Sequence, residues 1–132
     1  MSKEETNLSE AQWTIDLNWL KTHQRSFSTL AKGALCEKCR KKLKADTKEV
    51  SPADLLKSIQ TCCSKADGFI SPTVPFQESI FRVFLANGNK PMALQEVGEQ
   101  LAKRRGANGT RTSVVYLTRM MVNDDFYGIR AK

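Results

Sequence analysis

Cys36-Glu37-Lys38-Cys39 and Thr61-Cys62-Cys63-Ser64 hold all four cysteines of the chain, in two tight pairs. The span between them is short enough for one helical hairpin. Zinc takes four thiolate or imidazole ligands in a tetrahedron, and a two-residue gap lets Cys36 and Cys39 reach one ion from a single turn. Cys62 and Cys63 are adjacent. Neighbouring side chains can both ligate only where the backbone bends, as at a fraying helix end. The pattern therefore predicts one zinc ion per chain, bound by Cys36, Cys39, Cys62 and Cys63. Three other arrangements use the same residues. His23 or water could replace one of the adjacent cysteines, the four thiolates could hold an iron–sulfur cluster, or the thiols could stand without metal as buried groups or a redox pair. A closed four-thiolate site leaves no open coordination position, so its role would be structural rather than catalytic.

Working outward, Arg40-Lys41-Lys42-Leu43-Lys44 predicts a short helix with a basic outer face. Residues 46–50 are a polar connection. Ser51-Pro52-Ala53-Asp54 has the marks of a helix start: a Ser N-cap, Pro at the first helical position and an acid in the first turn. Leu55, Leu56 and Ile59 give that helix an apolar side running into Cys62. On the other flank, Ser9-Glu10-Ala11-Gln12 fits a capping box, and Trp13, Leu17 and Leu20 follow at helical spacing, so a first helix is expected there. Two tryptophans, Trp13 and Trp19, need cover from the next module or from a second subunit, which would make a homodimer; ordinary core packing is preferred over a ligand cage. Residues 23–34 predict a second helix carrying Phe27, Leu30 and Ala31, closed by a left-handed cap at Gly33.

Residues 64–75, with Gly68, Pro72 and Pro75, predict a linker in which Phe69 and Ile70 could still pack. Beyond it the pattern changes. Phe76, Ile80, Phe81, Val83, Phe84 and Leu85 make a helix apolar over much of its circumference, which belongs at a domain centre. Asn87-Gly88-Asn89 and Pro91 end it. A second helix near Gln95 carries Val97 and Leu101 and finishes on Lys103-Arg104-Arg105, cations at the negative end of the dipole. After a turn at 107–109, Thr110 or Thr112 can cap a third helix with Val114, Val115, Leu117, Met121 and Val122. Residues 126–130 predict a short terminal strand. The expected architecture is mainly α, with a helical zinc-binding module over 1–70 and a three-helix domain with a short closing strand over 71–132.

The whole chain has 132 residues, 40% hydrophobic and 27% charged, with a net charge of +7. That composition is globular rather than disordered. No apolar run nears the roughly 20 residues needed to span a bilayer, and the polar, acidic N-terminus has no signal-peptide character. A cytoplasmic protein with no membrane partner is expected, and a reducing compartment favours metal over disulfide. Residues 21–65 hold eleven Lys and Arg against four acids, whereas residues 74–132 hold nine against five. The basic charge thus centres on the cysteine module, where it can meet an acidic partner, offset a negative thiolate centre, or simply solvate the surface.

Residues 74–130 resemble a winged-helix or helix-turn-helix domain, nearest to the HARE-HTH type. The resemblance rests on Lys90-Pro91-Met92-Ala93-Leu94-Gln95-Glu96-Val97, which looks like the approach to the second helix, and on Tyr127-Gly128-Ile129, which looks like the strand after the third. The chain departs from it by closing at Lys132, leaving the wing short or missing. The resemblance implies a third helix presented to a DNA major groove, with Arg111, Thr112, Ser113 and Arg119 as its polar candidates, Tyr116 beside them, and Arg104 and Arg105 on phosphates. Such folds also serve as protein-binding modules. No Gly-rich phosphate loop or nucleophile motif accompanies His23, the lone histidine, so an enzyme is not expected. The first expectation is a zinc-stabilised DNA-binding regulator of transcription. The second is a protein-interaction adaptor.

Overall fold

Gln12-Trp13-Thr14-Ile15 alternates polar and apolar side chains, and it forms the strand around which the sheet is built (β1, Gln12–Ile15). The computed structural model describes residues 10–45, 51–66, 68–106 and 113–131. Ser9, the connection 46–50, the turn 107–109, Thr110, Arg111 and Thr112 fall outside these residues. The expected first helix is thus a strand followed by a short helix. Trp13 and Ile15 are each 2% exposed, whereas Leu17, the middle of the expected helical stripe, is 40% exposed. Burial follows a period of two, not 3.6, up to residue 15. Asp16 then starts helix α1 (Leu17–Thr22) by accepting from the Asn18 and Trp19 N–H groups at 2.9 and 3.1 Å.

Ser26 caps α2 (Phe27–Lys32), accepting from Thr29 N at 3.2 Å. The expected left-handed cap at Gly33 is absent; its φ of −64° is right-handed, and the chain turns by a hydrogen bond from Ala34 N to Ala31 O instead. Next comes the basic helix α3 (Glu37–Ala45). Ser51 caps α4 (Pro52–Thr61) as its sequence predicts, accepting from Asp54 N at 3.2 Å. A 3₁₀ turn, Cys63–Lys65, follows. Helix α5 (Phe76–Ala86) buries Ile80, Phe81, Val83, Phe84 and Leu85, and so takes the central place its composition predicts. Strand β2 (Met92–Ala93), α6 (Leu94–Arg105), α7 (Val114–Val122) and β3 (Ile129–Ala131) complete the order. The N-cap of α7 is Ser113, which accepts from Tyr116 N at 3.2 Å.

The molecule is mainly helical with one small antiparallel sheet in the order β2-β1-β3. Trp13 pairs with Met92 on one side and Ala131 on the other, and Ile15 pairs with Ile129. Asn89 fixes this register with its side-chain amide, accepting from Ile15 N at 2.8 Å and donating to Ile15 O at 3.0 Å. The sheet therefore draws strands from both sides of the expected boundary at residue 70. One core also spans it: Trp13, Leu20 and Phe27 belong to the same buried cluster as Phe81, Leu101, Leu117 and Ile129. Phe69 and Ile70, in the expected linker, are 3% and 2% exposed.

The closing strand begins later than expected because Phe126 and Tyr127 are drawn into a turn. Asp124 accepts from the N–H groups of Phe126, Tyr127 and Ile129 at 3.1, 3.0 and 3.0 Å, and from Gln77 Nε2 at 3.1 Å. Gly128, at φ +72°, lies so close to α1 that a Cβ there would be 2.9 Å from Leu20 Cγ. The close approach lets Asp16 N reach Gly128 O at 2.8 Å.

Candidate metal centre

The cysteines are delivered by two element ends. Cys36 precedes α3 and Cys39 lies in its first turn. Cys62 caps the C-terminus of α4, and Cys63 opens the 3₁₀ turn. At Cys62 the backbone leaves the helix (φ −124°, ψ −65°). This bend leaves Cys62 Sγ in mutual reach of the Cys36 and Cys39 sulfurs, while Cys63 Sγ stands beside Cys36 Sγ and outside that mutual group of three.

The four thiols converge. Cys36 Sγ is 3.8 Å from Cys62 Sγ and 3.4 Å from Cys63 Sγ. The sulfurs of Cys36, Cys39 and Cys62 all lie within 4.8 Å of one another. Cys63 is buried and the other three are half-buried. Backbone N–H groups support the sulfurs: Cys36 N donates to Cys63 Sγ at 3.2 Å. The Cys39 N–H donates to the Cys36 sulfur, and this hydrogen bond is the largest reason the Cys36 pKa falls to about 7. Burial pushes the Cys39 and Cys63 thiols up. Four soft donors at these separations can hold a metal ion.

His23 is not among the donors gathered there. Its ring stacks on Trp19 with centroids 3.9 Å apart, and its Nδ1 lies 2.7 Å from Trp19 O. No helix among the described residues is long and apolar enough to cross a membrane.

The residues proposed for nucleic acid are dispersed in their roles. Arg104 donates to Ser64 O and stands over the Phe69 ring, 5.6 Å from its centroid. Arg105 donates to Ser71 O at 3.0 Å and Ser79 Oγ at 2.8 Å, also reaching Val74 O, and lies 5.3 Å over Phe76. Both guanidinium groups thus staple the segment after Cys63 onto the body. Ser113 is spent as a helix cap. Tyr116 packs edge-on against Phe76, 5.9 Å between centroids. Arg119 is exposed on α7, and Arg111 and Thr112 lie outside the described residues. The outer face of α7 also carries Val115 and Val122, 41% and 45% exposed.

Three structural side chains have roles that the sequence pattern alone does not announce. Arg82 joins Arg104 on Phe69, 5.5 Å from the centroid, and donates to Phe69 O at 2.8 Å and Gly33 O at 3.2 Å. Asn89 and Asp124 organise the two turns described above. Asp124 had a signal, an acid followed closely by a glycine after a helix, because short acidic side chains bond backbone N–H groups two residues on. The local spacing of Glu78 and Arg82 announces only their i,i+4 ion pair at 3.7 Å, and the contacts of Arg82 with Phe69 and Gly33 and of Asn89 with Ile15 lie farther off in sequence. Comparison with protein-family models, curated proteins and solved structures returned no match.

Proposed function

We propose that this protein is a small nucleic-acid-binding regulator in which Cys36, Cys39, Cys62 and Cys63 hold one structural zinc ion. The observation that carries the metal assignment is the sulfur spacing. A tetrahedral ion with metal–sulfur bonds of about 2.3 Å sets its sulfurs about 3.8 Å apart, the separation found between Cys36 and Cys62. The Cys36–Cys63 separation, 3.4 Å, is somewhat shorter, and both exceed the roughly 2.05 Å of a disulfide. With four thiolates the ion has no open position, so its contribution is to tie the start of α3 to the end of α4. The nucleic-acid reading is supported by the excess of basic residues over 21–65, eleven against four acids. The run helix–strand–helix–helix–strand from Phe76 is compatible with the winged-helix likeness, while β1 occupies the middle of the sheet.

Elemental analysis of freshly purified protein should find about one zinc per chain. Absence of zinc together with four reactive thiols would sink the metal assignment, and a brown chromophore would replace it with an iron–sulfur cluster. Titration with random duplex DNA should show binding that weakens steeply with salt, because phosphate neutralisation releases counterions. A second reading has its own support: the exposed Val115 and Val122 on α7 suit a protein partner better than a phosphate backbone. Under this adaptor reading no duplex binding is seen even at low salt.

A further inference from the structure

Helix α3 presents a charged surface. Among its described side chains, Lys38, Arg40, Lys41 and Lys42 are exposed. Of these described side chains only Cys39, beside Cys36 just before the helix, packs against the buried core. The helix has nine residues. Isolated helices shorter than about 12–15 residues are marginal in water, so α3 depends on anchoring contacts to stay in place. Arg40 Nη2 reaches Leu35 O at 3.2 Å, and Lys41 pairs with Glu37 at 3.3 Å. The exposed ion pair contributes little. Among the described side chains of α3, the thiol cluster at its N-terminal end is the anchor to the core.

The same helix carries the densest charge in the chain. Its nine residues contain five Lys and Arg and one acid. Nine helical residues extend about 14 Å, and duplex DNA presents one phosphate charge per roughly 1.7 Å of axis. Several phosphates therefore lie within reach of Lys38, Lys41 and Lys42. On the competing surface, Arg104 and Arg105 are committed to backbone carbonyls and the face of α7 exposes two valines.

We infer that α3 is a metal-anchored basic arm that binds the phosphate backbone of duplex nucleic acid, with the cluster at Cys39 holding it in position. This deepens the function proposed above and rests on its nucleic-acid reading. The arm would bind without sequence preference, since lysines on phosphates position a protein but do not read bases.

The test uses the full-length, zinc-loaded protein and a random-sequence duplex titrated at several salt concentrations. The triple substitution K38Q/K41Q/K42Q should weaken binding at low salt at least about tenfold. It should also make the salt dependence shallower, by about one unit of slope for each phosphate that is no longer neutralised. Its zinc content should be unchanged, and R119Q should bind like the parent. Cys39→Ser should lose duplex binding and amide protection in α3 while α5 stays protected. A triple variant that binds like the parent overturns the inference, more so if R119Q abolishes binding, which returns the interface to α7. Loss of zinc with retained duplex binding shows that the lysines serve only to offset the charge of the thiolate centre, and also overturns it. A parent protein that binds no duplex defeats the nucleic-acid reading itself. If that parent instead binds anionic phosphatidylserine vesicles, the arm is a membrane-surface element.

Discussion

The sulfurs of Cys36, Cys39 and Cys63 are chemically unequal. The N–H of Cys39 stabilises the Cys36 thiolate and brings its pKa down to about 7, against the opposing effect of burial. Burial keeps Cys39 and Cys63 protonated to higher pH. A lowered thiol pKa means the reactive anion accumulates as pH rises through the folded value, while the raised thiols stay neutral there. In metal-stripped, reduced protein, brief iodoacetamide pulses should therefore modify Cys36 first, with half-maximal rate at about pH 7. Cys39 and Cys63 should follow only at more alkaline pH. Peptide mass spectrometry across pH measures this directly. Equal profiles at all positions, or Cys63 reacting first, would contradict the hydrogen bonding around the sulfurs. Bound metal should suppress modification throughout, because the thiolates are then ligands.

At the scale of elements, arginines secure a segment that has little packing of its own. The stretch between the 3₁₀ turn and α5 has two buried residues, Phe69 and Ile70. Its backbone carbonyls are taken up by Arg82 and Arg105, while Arg104 bonds Ser64 O in the 3₁₀ turn just before it. Arg105 alone bonds Ser71 O, Val74 O and Ser79 Oγ, so it joins α6, this segment and α5. Replacing it with methionine keeps the aliphatic stem but removes three charge-assisted hydrogen bonds, although Ser71 O keeps the Val74 N–H and Val74 O the Ser79 hydroxyl. Hydrogen bonds to charged groups contribute about 1.5–3 kcal/mol, and a loss of about 2 kcal/mol is expected for R105M. Urea denaturation measures it, and duplex titration supplies the control. If Arg105 were a phosphate ligand instead, the variant would lose affinity and salt dependence while keeping its stability.

For the whole molecule, the decisive feature is that the N-terminal strand lies between two strands from the C-terminal half. Trp13 is 2% exposed and belongs to the common core. Truncating it removes a large buried side chain, a change that typically costs about 3–5 kcal/mol. The expected consequence of Trp13→Ala is a loss of about that size, with faster amide exchange in α5 and α7 as well as in α1 and α2. A variant whose exchange rises only before residue 70 would show that the two halves unfold separately. The coupling also bears on metal removal. Chelation should loosen α3 first, because among its described side chains only Cys39 packs on that core, and the sheet should persist.

The amino-acid sequence determined those features whose partners are near in the chain. The cysteine pairs could be read as one site because two residues separate Cys36 from Cys39 and none separates Cys62 from Cys63. The start of α4 was legible from Ser51-Pro52, and the buried character of α5 from its apolar circumference. The helix features and the spacing within each cysteine pair depend on interactions within a turn or two, whereas Cys36 meets Cys62 and Cys63 only through the fold. Tertiary structure decided the rest. Trp13, Leu17 and Leu20 satisfy a helical period as well as Trp13 and Ile15 satisfy a strand, and the choice was made by pairing partners at Met92 and Ile129. Arg104 and Arg105 look like phosphate ligands at a helix end until Ser64 and Ser71 are folded beneath them. The boundary near residue 70 had the composition of a linker, yet Phe69 and Ile70 are buried there. Local hydrogen-bonding and helical periodicity are written in short stretches of sequence. Strand pairing, and the use to which a buried guanidinium is put, depend on groups brought together only when the chain is folded.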